Sequence, residues 1–409
     1  MKILFLNRFA AAGGAAVAMA RLAGSLRARG LEVVVGSPEA GNPAEPLLRL
    51  GRFERLLGKV GWKIGLDHLH CLSTRRFVRS DFLGGFDLVH LHNLHSGWFN
   101  YRALPGLSAR KPLVWTLHDM WAFTGHCAYS HECERWRGGC GQCPYLTDYP
   151  YMARDASRLE WWLKRQAHSR SRYHVVAPSQ WLARLARESI LLPQTVNAIP
   201  YGIDHESWRP IPVAEARQAL GLPGGKKICL VIASDLKERR KGGALLLEAL
   251  GHLDEAARRS LLLLTAGAGP GDALAASGVE TRHLGYLKED VDKRRAYSAS
   301  DLMLFTSMAD NLPVVILEAM GCALPVLAFN VGGVPDMVVD GETGGLVEPF
   351  STRAYAERMS RLLADAPGLA RMRDFSRRRL ESKFGAQAEA AAYERVYQAA
   401  LATHATLAA

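Results

Sequence analysis

Short apolar runs alternate with stretches of helical period along almost the whole chain. In the first half, Lys2–Leu6, Glu32–Val35, Asp87–Leu91, Pro112–Leu117 and His174–Ala177 are rich in Val, Ile and Leu and bounded by Gly, Pro or Asn, as buried strands are. In the second half the same signature marks Ile228–Ala233, Leu261–Ala266, Thr281–Leu284, Leu302–Thr306, Val326–Phe329 and Gly345–Val347. Helical runs separate many of them, among them Ala15–Arg29, closed by Gly30, and Gly243–His252. Continuous apolar strands with helices between them predict an α/β chain whose parallel sheets are covered on both faces. Three helical stretches, about 352–365, 367–382 and 386–403, finish the chain with no strand after them.

The pattern also restarts. A strand, a glycine turn and a helix open the chain, and a similar series opens after Gly224-Gly225. Between them, Ile199-Pro200-Tyr201-Gly202-Ile203-Asp204 through Pro210 and Pro212 has the Pro and Gly density of a linker. Two doubly wound domains are therefore expected, over 1–200 and 201–385, with a terminal helix over 386–409 that packs back on the first. A length of 409 residues, too long for one ordinary core, agrees.

Composition narrows the class. With 48% hydrophobic and 22% charged residues, the chain is neither disordered nor collagenous nor a small disulfide scaffold. The uncharged stretch Ala319–Pro335 is broken by Gly and Pro and is too short for a membrane span. The N-terminal apolar run is interrupted by Asn7 and Arg8 and continues into Ala and Gly, so it reads as a strand, turn and helix and not as a signal peptide; a cytoplasmic protein is expected. Seven cysteines, an odd number with four clustered, fit a reducing compartment.

Lys and Arg number 51 against 40 Asp and Glu, a net charge of +11. The surplus lies entirely in the first half: residues 1–205 hold 26 basic and 15 acidic side chains, whereas 206–409 hold 25 of each. It is densest between Arg49 and Arg79, where basic residues are interleaved with Leu, Phe and Trp. That segment reads equally as a solvated helix face and as a patch for a membrane surface or an anionic acceptor. No helix-turn-helix, RNP-type or finger signature accompanies the charge, so nucleic acid is not the expected partner.

Candidate chemistry concentrates in the second half. In Ser307–Gly321 a strand leads through a turn into a helix, with Asp310 and Glu318 eight residues apart. Backbone N–H groups after Asn311 and Leu312 would serve as anion donors, and Glu318, about two turns in, could accept hydrogen bonds from a ribose diol. Downstream follow Pro325-Val326-Leu327-Ala328, then Gly332-Gly333-Val334-Pro335-Asp336, then Gly341-Glu342-Thr343-Gly344-Gly345-Leu346-Val347. This order resembles the C-terminal domain of the retaining family-4 glycosyltransferases, which have the GT-B fold of two Rossmann-like domains facing across a cleft. Asp310 stands where their E-x₇-E pattern begins with Glu, and Asp336 where their G-G-x-x-E turn ends in Glu.

The resemblance runs along most of the chain. Ile199–Asp204 is similar to the family's I-x-N-G-V-D linker with Tyr201 in place of Asn, and Arg239-Arg240-Lys241-Gly242 to its basic K-G element. It implies that Lys241, with Arg240 or Arg239, meets the donor diphosphate, where fixed positive charge is needed. It further places Gly13 and Gly14, Gly267 of Gly267-Ala268-Gly269, and Tyr286 beside the donor. By the family's H-D element, His118 would touch the reacting sugar, stabilising charge without acting as nucleophile, and Asp119 would orient the loop. His90, His92 and His95 crowd the neighbouring strand end. Asp290-Val291-Asp292 precedes a helix expected to begin near Lys293 and reads as an N-cap and not as a metal motif.

Cys127, Cys133, Cys140 and Cys143, spaced C-x₅-C-x₆-C-x₂-C, could hold a structural zinc, form two disulfides or remain free thiols. The surrounding stretch resembles a polysaccharide-assembly subset of the family, with the Cys-rich loop over 125–144. No cofactor is expected for catalysis. The function implied is transfer of a sugar, with retention, from a UDP-, GDP- or ADP-sugar to a saccharide or polyprenyl-diphosphate-linked acceptor, at the inner face of the cytoplasmic membrane. The alternatives are a sugar-nucleotide epimerase or phosphorylase of the same fold, or a scaffold with a degenerate donor site.

Overall fold

Every predicted apolar run becomes a strand of one of two six-stranded sheets in the computed structural model, which describes all residues except 11–12, 40, 43, 236–237, 269–273 and 409. The first sheet contains β1 (Lys2–Leu6), β2 (Glu32–Gly36), β3 (Leu88–Leu91), β4 (Leu113–Thr116), β5 (His174–Ala177) and β6 (Thr195–Ala198). Their order is β2-β1-β3-β4-β5-β6, and every pair is parallel. The second contains β7 (Lys227–Asp235), β8 (Leu261–Ala268), β9 (Glu280–His283), β10 (Leu302–Phe305), β11 (Val326–Phe329) and β12 (Gly344–Val347). Their order is β12-β11-β10-β7-β8-β9, again all parallel. In each sheet the chain winds outward one way and then the other, so the direction reverses between β1 and β3 and between β7 and β10. Open sheets of this kind bind ligands at the carboxyl ends of the strands flanking that reversal.

The sequence pattern did not show β6. Its residues Thr-Val-Asn-Ala lie at the sheet edge, exposed or half-buried, and so carry none of the apolar signal of a central strand.

Alternation along the first sheet sorts side chains onto two faces. Ile3, Phe5, Leu88, Val114 and Val176 share one core with Met19, Leu22 and Leu26 of the Gly14–Ala28 helix. Leu4, Leu6, Val89, Trp115 and Val175 share the other with residues of the helices Ser73–Arg79, Leu104–Arg110, Ser157–Ser169 and Gln180–Arg187. Because both faces are buried, the period of two is invisible in hydropathy and the strands read as continuous apolar runs.

The chain divides into two units, Met1–Tyr201 with Glu389–Ala409, and Gly202–Ala388. The last helix, Ala386–Ala408, thus lies mostly in the first unit, where Ala390, Tyr393, Val396, Tyr397 and Ala400 complete the Phe5 face of the sheet. Polar contacts add direction to this packing. The Tyr397 hydroxyl lies 2.9 Å from His90 Nδ1, the Tyr393 hydroxyl lies 2.7 Å from Thr116 Oγ1, and Arg29 pairs with Glu394 at 2.6 Å. Tyr397→Ala is expected to lower the stability of the first unit by about 3–5 kcal/mol, and Tyr397→Phe by about 1 kcal/mol. Denaturant midpoints read by a first-unit probe check this, and an unchanged midpoint in Tyr397→Ala would contradict the packing.

Candidate functional site

In the second unit the reversal point lies between the loops that follow β7 and β10. After β7 the chain makes a single turn, Arg239–Lys241, and enters the Gly243–Gly251 helix through Gly242 at φ +71°. A Cβ on Gly242 would overlap the carbonyl oxygen of Thr306, so glycine is what lets this turn touch the end of β10. The Met308 N–H donates to the Arg240 carbonyl at 2.7 Å and fixes the two loops together.

The contact is centred on Asp310. Its buried carboxylate accepts from Lys241 Nζ at 3.0 Å and from Arg240 Nη1 at 3.2 Å through Oδ2, while Oδ1 accepts the Asn311 N–H at 3.0 Å. Arg240 Nη1 also donates to the Ala309 carbonyl at 3.0 Å. Gly332, at φ +55°, lies under the Asp310 carbonyl where a Cβ would not fit, and the Gly333 N–H donates to that carbonyl at 3.1 Å. Burial works against ionisation of Asp310, but the Lys241 and Arg240 charges and the Asn311 N–H outweigh it and hold the carboxyl below its usual range. Arg240 and Lys241 are thus the cations directed at the reversal point, while Arg239 is exposed.

Other residues singled out from the sequence take more varied places. The helix after Asp310 runs from Val314 to Gly321 with Pro313 at its cap, so it begins later than expected, and the Asn311 N–H is already engaged with Asp310. Glu318 is therefore the fifth helical residue, little more than one turn in; it is buried, and its Oε2 accepts from the Tyr297 hydroxyl at 3.0 Å. Leu312 is buried. Gly267, at φ +145° near the end of β8, donates its N–H to the Gly285 carbonyl at 3.0 Å, and beside Gly285 the Tyr286 ring is 65% exposed. Gly269 lies outside the described residues. Asp290 and Asp292 do not cap a helix: both are in the first turn of Asp290–Ala299, behind a Glu289 cap, where they pair with Lys293 and Arg295.

In the first unit, Gly13 at φ +86° caps the Gly14–Ala28 helix after β1, and neither glycine has an atom within 4 Å of where a Cβ would stand. That helix carries no acidic residue in its first turn, which leaves its N-terminus favourable for negative charge.

The histidines at the ends of β3 and β4 form a connected chain. His92 Nδ1 lies 2.9 Å from His118 Nε2, and His118 Nδ1 lies 2.5 Å from the Tyr201 hydroxyl. His90 joins the Tyr397 hydroxyl to Thr116 Oγ1, the latter at 2.8 Å. Both ring nitrogens of His118 therefore already have protein partners, and a sugar hydroxyl would have to displace one of them. Asp119 accepts from the Trp121 N–H at 2.8 Å and lies 3.2 Å from His95 Nε2, an arrangement that orients the loop. The loop is braced further by Lys164, whose Nζ donates to the Trp121 and Thr124 carbonyls at 2.7 and 3.0 Å, and by His168 Nε2, 2.9 Å from the Ala122 carbonyl. Sequence reasoning missed Thr116, Lys164, His168, Tyr393 and Tyr397. Only Tyr201, standing where the family linker has Asn, left a signal.

Cys127, Cys133, Cys140 and Cys143 line one small cavity together with His126 and Tyr145. All are free thiols; the Gly125 N–H donates to Cys140 Sγ at 3.2 Å, and His126 Nε2 lies 3.3 Å from Cys143 Sγ. Burial pushes the Cys140 thiol up to about 11 and the Cys127 thiol up to about 12, which favours the protonated form. Among the described residues no group of three or more His, Cys, Asp or Glu is disposed to hold a metal ion. The two disulfides suggested as an alternative are not formed either.

Buried histidines make the first unit sensitive to acid. Burial drives the His118 pKa down to about 4, with Asp119 offsetting part of the effect, and also lowers His68, His90 and His92 well below 6.5. The unfolded chain then binds more protons than the folded one below pH 6.5, so stability is lost as the pH falls from about 6.5 towards 4. For His118 alone the full loss is about 3 kcal/mol. Thermal unfolding of the first unit is expected to move down across that window, and a melting temperature flat from pH 7 to 4.5 would contradict it.

Comparisons with known proteins agree with this architecture. Residues 12–207 match a family model described as Glycosyltransferase Family 4, and residues 226–365 match one described as Glycosyl transferases group 1. The chain is similar to the putative colanic acid biosynthesis glycosyl transferase WcaC of Escherichia coli (strain K12), 30% identical over 59% of this chain and 60% of that protein. A D-inositol 3-phosphate glycosyltransferase of Xylanimonas cellulosilytica is 27% identical over 94% of this chain and 91% of its own length. Among solved structures, sucrose-phosphate synthase from Thermosynechococcus elongatus superposes with a TM-score of 0.72 at 19% identity, covering 98% of this chain and 99% of that one. Anabaena HepE in complex with UDP-glucose superposes with a TM-score of 0.66 at 20% identity, covering 99% of this chain and all of that one. The chain has the GT-B fold, with a first part that matches the Glycosyltransferase Family 4 model and a second part that matches the Glycosyl transferases group 1 model.

Proposed function

We propose that the protein transfers a sugar from a nucleotide-sugar donor to a saccharide or lipid-linked saccharide acceptor, with retention of anomeric configuration, in the assembly of a surface polysaccharide. The observation that carries this reading is the Asp310–Arg240–Lys241 cluster at the reversal point of the second sheet. A diphosphate needs fixed cations, and a carboxylate behind them holds them in place before the ligand arrives. An ammonium has three N–H donors, so Lys241 can keep Asp310 and take a phosphate oxygen together. Support for the donor class comes from HepE, whose structure contains UDP-glucose, and support for the setting comes from WcaC.

In this reading the acceptor oxygen attacks the anomeric carbon on the face from which the phosphate leaves. The carbon–oxygen bond to the diphosphate breaks, and the hydroxyl proton passes to the departing phosphate oxygen. Arg240 and Lys241 stabilise the charge that collects there. His118, neutral at physiological pH and held between His92 and Tyr201, presents an uncharged imidazole and is not a general base. No metal is required for the step.

Calorimetric titration with a panel of UDP-, GDP- and ADP-sugars, paired with a hydrolysis screen, tests the assignment. One donor is expected to bind and to be slowly hydrolysed. Lys241→Ala and Arg240→Ala are each expected to weaken it by about 10- to 100-fold, the worth of a charged hydrogen bond. Absence of any nucleotide-sugar binding would overturn the reading, and unchanged affinity in both variants would overturn the site.

A further inference from the structure

The helix Arg52–Lys63 in the first unit is seated through its small residues. Its one acidic residue, Glu54, is buried, and accepts the Gly51 N–H at 2.7 Å and the Ser73 N–H at 2.5 Å. On the same face a Cβ at Gly58 would come within 2.8 Å of His70 Nε2, and one at Gly61 within 2.7 Å of the Leu66 carbonyl. Glu54, Gly58 and Gly61 thus turn inward, and the large side chains are left outside.

Those side chains are ordered. Phe53, Leu56, Val60 and Ile64 recur at the spacing of one helix stripe and are 65%, 60%, 55% and 44% exposed. Trp62, 48% exposed, stands at the end of the same element. Alongside runs a second stripe at the same spacing, Arg52, Arg55, Lys59 and Lys63, all exposed. Arg75, Arg76 and Arg79 on the Ser73–Arg79 helix are exposed as well. A solvated helix face does not carry four large apolar side chains in register, and a groove for nucleic acid does not need them.

We propose that the Arg52–Lys63 helix is a docking surface for an anionic phospholipid bilayer, lying in the plane of the interface with Phe53, Leu56, Val60 and Ile64 inserted and the basic stripe among the headgroups. Charge complementarity selects this occupant. The first unit holds 27 basic and 16 acidic side chains, so an anionic surface is attracted to the patch. A second copy of the chain in a two-fold contact would set the basic stripe against itself. Among the described residues no helix is long and apolar enough to cross a membrane, so this mode lies on the bilayer and does not span it. Such docking sets where the protein sits and is independent of the sugar transfer proposed above.

Flotation of the full chain with vesicles tests it without any activity measurement. Binding is expected to phosphatidylcholine vesicles containing about one-third phosphatidylglycerol, at least tenfold above phosphatidylcholine alone, because each basic side chain adds roughly fivefold. The combined variant Arg52→Gln, Arg55→Gln, Lys59→Gln, Lys63→Gln should lose at least tenfold in binding. The variant Phe53→Ser, Leu56→Ser, Val60→Ser should lose binding even at low salt. Trp62 fluorescence should shift to the blue on binding and be quenched by brominated acyl chains. Unchanged melting temperatures in both variants establish that folding is intact. The proposal is overturned if phosphatidylglycerol vesicles do not bind the chain at physiological salt, or if both variants bind as before. It is overturned equally if sedimentation shows an oligomer that the serine variant dissociates, because the apolar stripe then covers another copy.

Discussion

A single buried carboxylate organises the second unit's reversal point. Asp310 is almost fully removed from water, and an isolated charge there would be costly, so its ionised state depends on Lys241 and Arg240 beside it. The dependence is mutual: two cations five and six residues past β7 are brought together by the carboxylate that faces them, with Glu238 holding Arg240 from the other side. The surrounding backbone is shaped to permit this contact. Gly242 and Gly332 both take positive φ and both lie against carbonyl oxygens where no side chain fits. Aspartate in place of the longer glutamate of the family pattern fits the same logic, since the shorter arm meets the cations at 3.0 and 3.2 Å from its own loop.

The first unit solves a different problem with neutral groups. Its strand ends carry histidines in a dry environment, where a second positive charge would be unfavourable, and each finds a neighbouring ring or hydroxyl. Tyr393 and Tyr397 reach them from the far end of the chain, so the last helix both covers the sheet and satisfies its polar interior. Tyr201, the last residue of the first unit before the chain passes into the second, closes on His118. The imidazole of His118 is thereby oriented by contacts from β3 and from the linker, while Lys164 and His168 hold the loop that follows it.

Much of this was legible in the sequence, and the reason is burial. Central parallel strands are apolar on both faces, so β1, β3 to β5, β7, β8, β10 and β11 announce themselves, whereas β6, half-exposed at an edge, does not. The residues that meet after β7 and β10 were legible because they lie in short, motif-bearing loops whose glycines have steric causes. What stayed hidden depends on long-range partners. Nothing near Tyr397 or Tyr393 says that β3 and β4 receive their hydroxyls, and nothing near Glu318 says that Tyr297 meets its carboxylate. Boundaries failed where a single residue decides them: Pro313 delays one helix, and Asp290 begins another earlier than its Lys293 suggested. The basic surplus was visible from the start, but a composition cannot show that Glu54, Gly58 and Gly61 turn inward and leave an apolar stripe beside it.

The proposed transfer turns on whether the cations held by Asp310 receive the diphosphate of a nucleotide sugar. A crystal structure of the chain with its preferred nucleotide sugar tests this most directly. A β-phosphate oxygen is expected within hydrogen-bond reach of Lys241 Nζ and of the Arg240 guanidinium, at the carboxyl ends of β7 and β10. A diphosphate bound elsewhere, with the Asp310–Lys241–Arg240 cluster undisturbed and out of reach, would contradict it.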